Sequence, residues 1–308
     1  MNKFRSYFQA VHTLPCHMAR LLLLLLLLAS VVVLPARAAD RLDTEFARAE
    51  LLASVEATGN LSEIQLGLQV TLQPGWKIYW RSPGDAGLPT QLSLLTAATS
   101  EQKLTMDYPL PERFSLFGLD TYGYGDKVIF PVRLTGHPSG QPLDLQADLN
   151  ALVCSDICVP FNGPVAVRLP AGPIRPSVYA RDIARASALV PRRSTGLGLS
   201  VQSVTYDQPQ TSLYVRLEDT EIVIDDIFVE TDQKGLSFAP PVRIQDDLYK
   251  IAVSGAVEGV NFKQLSLRLT VQGDEVFAEQ TISVGLSSVL ETTRPPLALM
   301  LLIALAGG

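Results

Sequence analysis

The sequence predicts an all-β protein, two immunoglobulin-like antiparallel β-sandwich domains following a signal peptide. Three observations lead there. Short segments alternate apolar and polar residues with a period of two, Gly, Pro, Asp and Asn separate them at sandwich-like spacing, and no strand-helix alternation suggests a doubly wound or thioredoxin fold.

Residues 1–38 read as the signal peptide. Lys3, Arg5 and Arg20 are followed by the apolar stretch Leu21 to Leu34 and by Ala36-Arg37-Ala38, a small-x-small cleavage site. The apolar run is shorter than the roughly 20 residues of a membrane helix. Cys16 leaves with this leader, so the expected mature chain is exported and its thiols meet an oxidising compartment. The leader holds four basic residues and no acids, which leaves 25 − 4 = 21 basic against 31 acidic residues, a net charge of −10. Such an acidic balance argues against nucleic acid or an anionic membrane surface as a partner of the chain as a whole.

Residues 39–172 form the expected first sandwich. Leu61 to Leu72 places Leu61, Ile64, Leu66, Leu68, Val70 and Leu72 mostly on one face, and Val128 to Leu134 and Leu143 to Leu149 repeat the pattern. Residues 173–195 read as a linker, with prolines at both ends and an alanine- and arginine-rich stretch, Val178 to Leu189, suited to a short helix. Residues 196–288 form the second sandwich, with strands expected at Leu197 to Val204, Ser212 to Leu217, Ile222 to Val229, Leu248 to Val253, Leu265 to Val271 and Val276 to Val284. Residues 289–308 combine Arg294-Pro295-Pro296 with an apolar run from Leu297. That run reads as the start of a transmembrane helix.

Once the leader is removed, Cys154 and Cys158 are the only cysteines. Three residues between them do not match the helix-capping Cys-x-x-Cys of thioredoxins. Ser155-Asp156-Ile157 suits a short hairpin loop, whose flanking residues face each other near the roughly 5.5 Å Cα separation that a disulfide prefers. A bond closing so small a loop adds little stability, and as a staple it is poorly placed. A tight loop at a reachable tip suits thiol exchange instead, although Asp156 between the sulfurs, as a modulator of thiol ionisation, would raise a thiol's pKa and slow its attack. Spacing alone leaves both readings open: a redox pair, or an inert disulfide in a non-enzymatic secreted binding module.

The surrounding motifs carry a resemblance. Pro74-Gly75-Trp76-Lys77-Ile78-Tyr79-Trp80-Arg81-Ser82-Pro83-Gly84-Asp85-Ala86-Gly87-Leu88-Pro89, Tyr108-Pro109-Leu110-Pro111-Glu112-Arg113-Phe114, Tyr122-Gly123-Tyr124, Phe130-Pro131-Val132 and the Cys154 to Pro160 run together resemble the N-terminal periplasmic region of the DsbD and ScsB thiol:disulfide interchange proteins, the ScsB branch more closely. The resemblance covers most of residues 45 to 172. It implies a protein-disulfide reductase module in the periplasm, belonging to a full-length protein anchored in the inner membrane. Its partners would be a transmembrane redox domain of the same protein and periplasmic thioredoxin-like or disulfide isomerase-like proteins. Cys154 and Cys158 would be the exchanging pair, the more exposed one attacking. No cofactor and no metal are implied.

The departures are specific. The classical DsbD domain separates its cysteines more widely and shields them with an aromatic cap loop, and no stretch here aligns with that cap. Phe114, Phe117, Tyr122 and Tyr124, near Gly118, Gly123 and Gly125, are the candidate substitutes, with ordinary strand packing as the competing role. Trp76, Tyr79 and Trp80 read as core and edge residues of one strand in preference to a carbohydrate or partner platform, and Arg81 to Asp85 as a turn.

Other chemistries lack their residues. Two thiols and a lone His137 do not supply a zinc site, Met106 is a better core residue than a copper(I) ligand, and Gly136-His137-Pro138 reads as a turn and not as a hydrolase base. The paired acids Asp225, Asp226, Asp246 and Asp247 read as solvated surface.

Overall fold

A computed structural model describes residues 40–97, 99–116, 118–192, 199–218, 222–273 and 276–286. The expected signal peptide (1–38), the apolar tail (289–308), the end of the linker (193–195) and Phe117 lie outside the described residues. All described residues fall within one compact unit. No helix among them is long and apolar enough to cross a membrane.

The first half of this unit is a two-sheet sandwich. Its strands are β1 (Arg41–Asp43), β2 (Ala47–Ala53), β3 (Glu63–Leu72), β4 (Lys77–Gly84), β5 (Gln91–Thr96), β6 (Lys103–Met106), β7 (Glu112–Leu116), β8 (Leu119–Gly125), β9 (Lys127–Thr135), β10 (Leu143–Cys154) and β11 (Cys158–Leu169). One sheet runs β1-β2-β3-β9-β6, and the other β11-β10-β4-β8-β7 with β5 added to β10. Alternation builds the core directly: Leu143, Leu145, Ala147, Leu149, Ala151 and Val153 all point inward from β10, against Ile64, Leu66, Leu68 and Val70 from β3.

The expected linker helix is α1 (Ala180–Ala188), and it is laid onto the first sandwich. Ile183 and Ala186 are buried against Leu52 and Ile129 on the outer face of the first sheet. Gly67 makes that approach possible, because a Cβ there would sit 2.8 Å from Ile129 and 3.0 Å from Ile183. The strap before the helix is pinned by Glu56 N–H to Arg175 O at 3.0 Å and Ser177 N–H to Ser54 O at 2.9 Å.

The second half comprises β12 (Val201–Asp207), β13 (Ser212–Leu217), β14 (Ile224–Glu230), β15 (Leu236–Phe238), β16 (Val242–Gln245), β17 (Leu248–Gly255), β18 (Ser266–Gly273), β19 (Phe277–Ser283) and β20 (Gly285–Leu286). One sheet runs β15-β17-β13-β12-β20, with β16 on β17, and the other β14-β18-β19. Its core gathers Val204, Leu213, Val215, Ile227, Val229, Ile251, Leu267 and Leu269.

Strand β14 serves both halves. Ile227 and Val229 enter the second core, whereas Asp226, Phe228 and Glu230, on its other face, meet the first sandwich. Phe228 is 1% exposed and belongs to the first core, 5.9 Å from the Trp80 ring and 5.2 Å from the Tyr122 ring. Arg113, with 9% of its side chain exposed, grips the Asp226 carboxylate with two 2.8 Å bonds and donates to Phe238 O. Arg81 binds Glu230 at 2.6 and 3.0 Å and also pairs with Glu279.

Two sequence readings are corrected here. Asp226 is not solvated surface, because Arg113 holds it in the seam between the sandwiches, and Asp247 pairs with Arg216. Residues 81 to 84 are not a turn: β4 runs on to Gly84, with an irregular register against β8 between Tyr79 and Gly84. Trp80 is fully buried, while Trp76 precedes the strand and stacks on Phe46 at 4.0 Å.

Candidate redox site

Strands β10 and β11 form a hairpin with an unbroken ladder of twelve residue pairs, from Leu143↔Leu169 to Cys154↔Cys158. Ser155 N–H closes the tip on Ile157 O at 2.9 Å. The two cysteines are therefore the last direct pair before the turn, and they are bonded to each other with Cα atoms 4.1 Å apart. That is closer than the separation expected from disulfide statistics, because the hairpin itself brings the two backbones together.

The two sulfurs differ in environment. Cys154 is 3% exposed, whereas Cys158 is exposed beside Asp156 and the 62% exposed Ile157. Cys154 also pairs across to Lys77 on β4, and Lys77 to Gly125 on β8, so Cys158, Cys154, Lys77 and Gly125 form one row across four strands. The adjacent row, Val159, Val153, Ile78 and Tyr124, points into the sandwich. Since neighbouring rows project to opposite faces, the disulfide lies on the outer face of its sheet.

Tyr79 shares that outer face and is nevertheless only 5% exposed. The segment following β4 covers it. Gly87, at φ +111°, lies flat on the ring, and a Cβ there would approach Tyr79 Cε1 to 2.5 Å. Thr90 Oγ1 donates to Tyr79 O at 2.7 Å, Tyr108 OH donates to Thr90 O at 2.5 Å, and Asp85 and Asp120 exchange bonds of 2.8 and 2.9 Å. The Tyr79 hydroxyl lies 3.9 Å from Cys158 Sγ. A disulfide sulfur carries no proton, so the phenol is the only possible donor in this weak contact. Burial raises the Tyr79 pKa above its ordinary value, which keeps the phenol neutral.

The candidate cap residues separate by face. Phe114 pairs with Thr121 and lies on the outer face, where Lys77 Nζ sits 4.6 Å from its ring centre. Tyr122 and Tyr124 lie on the inner face. Tyr122 packs against Trp80 and Phe228, and Tyr124 packs against Phe130 and donates to Pro109 O at 2.7 Å. Both are set as core residues, so neither reaches the sulfurs, and Asp156 is exposed at the hairpin tip. Nothing in the sequence reading of Tyr79, as strand packing or as part of a partner platform, connects it with the sulfurs. The signal that picks it out is parity, since Tyr79 and Lys77 occupy one face of β4 and Ile78 and Trp80 the other. His137 is buried, its Nε2 3.0 Å from Gln141 O, and no cluster of three metal-ligating side chains occurs among the described residues.

Residues 46–169 match the family model described as "Thiol:disulfide interchange protein DsbD, N-terminal". The fold is similar to the crystal structure of the N-terminal periplasmic domain of ScsB from Proteus mirabilis, at a TM-score of 0.63 and 24% sequence identity, covering 80% of this chain and 96% of that one. A search among curated proteins finds no match.

Proposed function

We infer that this chain, whose residues 46–169 match the DsbD N-terminal family model, is a periplasmic thiol:disulfide exchange module that relays reducing equivalents through Cys154 and Cys158. The observation that carries this reading is the asymmetry of the pair, one sulfur buried and one presented at the hairpin tip. A donor dithiol attacks Cys158 Sγ as a thiolate, the bond to Cys154 breaks, and Cys154 leaves as the thiolate. The donor's second thiolate then attacks the mixed disulfide, so the donor is oxidised and the pair is reduced. In the forward step Cys158 attacks the disulfide of an acceptor, and Cys154 resolves the resulting mixed disulfide.

The donor we propose is a membrane-embedded redox domain of the same full-length protein, and the acceptors are periplasmic thioredoxin-like or disulfide isomerase-like proteins. The exchange draws only on sulfur chemistry, so it calls for no cofactor or metal. The test is capture. A Cys154→Ser variant, reduced and mixed with an oxidised thioredoxin-like protein, accumulates a mixed disulfide through Cys158 that reductant releases. Failure of Cys158 to form that adduct while Cys154, in a Cys158→Ser variant, does form one would overturn the assignment of the attacking sulfur.

A further inference from the structure

The strap and helix between the two sandwiches carry a surface that the redox reading does not use. The described residues 173–192 contain four arginines and one aspartate, in a sequence whose net charge beyond residue 38 is otherwise strongly negative. Arg181 and Arg185 lie one turn apart on the exposed side of α1, with Leu189 a further turn along, and Arg175 is exposed on the strap before it. Four large apolar side chains stand out among these cations: Ile174, Val178 (83% exposed), Tyr179 and Leu189. Acids nearby include Asp182, 3.9 Å from Arg185, the exposed Glu56 beside Arg175, Asp107, which lines one cavity with Ser187 and Arg192, and Glu50 and Glu63 on the sheet face that α1 packs against.

We propose that this face docks on an anionic lipid bilayer. Arginines interleaved with single aliphatic side chains and a tyrosine match a headgroup interface, where the cations meet lipid phosphates and the apolar groups enter the acyl boundary. A protein-binding hot spot would instead gather its apolar residues into one packed centre with a polar rim. The overall acidity of the chain does not oppose this. Charges beyond a Debye length of about 8 Å are largely screened, so the bilayer responds to the local arginines. The helix needs no refolding to dock, because Ile183 and Ala186 already hold it on Leu52 and Ile129. It covers the outer face of the first sheet, while the disulfide lies on the outer face of the second, so a docked chain turns Cys158 away from the lipid and toward soluble partners.

The test is co-sedimentation of the full chain, and of its Arg181→Gln/Arg185→Gln variant, with vesicles of phosphatidylethanolamine and phosphatidylglycerol and with vesicles of phosphatidylcholine alone. The chain has apolar segments at both ends, so the readout is the difference between the two proteins. At about 1 kcal/mol for each arginine near an anionic surface, the variant should bind phosphatidylglycerol vesicles about thirtyfold more weakly. The two should bind phosphatidylcholine vesicles alike. Arg175→Gln, which lies outside the helix, should weaken binding in the same direction and keeps the result independent of helix stability. Equal binding of all three proteins to the anionic vesicles would overturn the proposal.

Discussion

The hydroxyl of Tyr79 lies 3.9 Å from the sulfur of Cys158, and Gly87 packs on the ring that carries it. This contact joins the one exposed sulfur to a buried, neutral phenol that is itself locked under Gly87. On the exchange reading, Tyr79 should shield one approach to Cys158 and leave the hairpin tip as the other. Tyr79→Phe, which keeps the ring and removes the weak donor, should leave folding intact and change the rate of exchange with a small dithiol by a few-fold at most. Tyr79→Ala removes the shield and should raise that rate by more than Tyr79→Phe does. Stopped-flow reduction by dithiothreitol measures both, and equal rates for the three proteins would contradict the shielding role.

Reduction of the disulfide should leave the fold intact. The bond closes a loop of only a few residues, for which chain entropy predicts about 2 kcal/mol, and the twelve-pair ladder between β10 and β11 should hold the hairpin without it. Denaturant titration of the oxidised and reduced chain should show a shift of that size and unchanged cooperativity. A reduced form that loses its strand circular dichroism would mean that the bond is structural.

The β14 face should make unfolding of the two sandwiches interdependent. Phe228→Ala empties a site shared with Trp80 and Tyr122 and should cost about 3–5 kcal/mol. Arg113→Ala leaves Asp226 without its bidentate partner in the seam and should cost about 3 kcal/mol. Calorimetry should show one transition for the parent chain and resolve two for Phe228→Ala. A single transition at an unchanged temperature would contradict the shared core.

Alkaline pH should destabilise the fold through its buried phenols. Burial raises Tyr122 to about 12, against an ordinary tyrosine value near 10, and raises Tyr124 well above it. The folded pKa exceeds the unfolded one, so this stabilisation is complete below pH 10. It is lost as pH rises from about 10, where the unfolded chain ionises, toward about 12. Tyr122 alone accounts for roughly 3 kcal/mol by this linkage. Tyr122→Phe should therefore flatten the decline in stability between pH 10 and 12 in urea titrations, and an identical decline would contradict the assignment.

Much of this architecture is legible in the sequence because it is local. The alternation in β10 and β3, the turn between Cys154 and Cys158 and the alanine-rich helix each depend on residues within one or two elements. What escapes is set by pairings distant in sequence. Asp226 looks like a surface acid because nothing near it announces Arg113, and residues 81 to 84 look like a turn because Pro83-Gly84 is turn chemistry wherever it occurs. The aromatic residues proposed as a cap show both sides of this. Tyr122 and Tyr124 are two residues apart, the period of a strand face, which marks them as a pair on one side. Which side is inward depends on the register Ile78↔Tyr124, and that register is a property of the folded sheet.

The reduction potential of the Cys154–Cys158 couple tests the central claim most directly. Equilibration with glutathione buffers followed by trapping of free thiols should give a value within roughly −180 to −270 mV, the span of thiol oxidoreductases. A value well below about −300 mV, typical of structural disulfides, would contradict electron relay and leave a binding module with an inert bond.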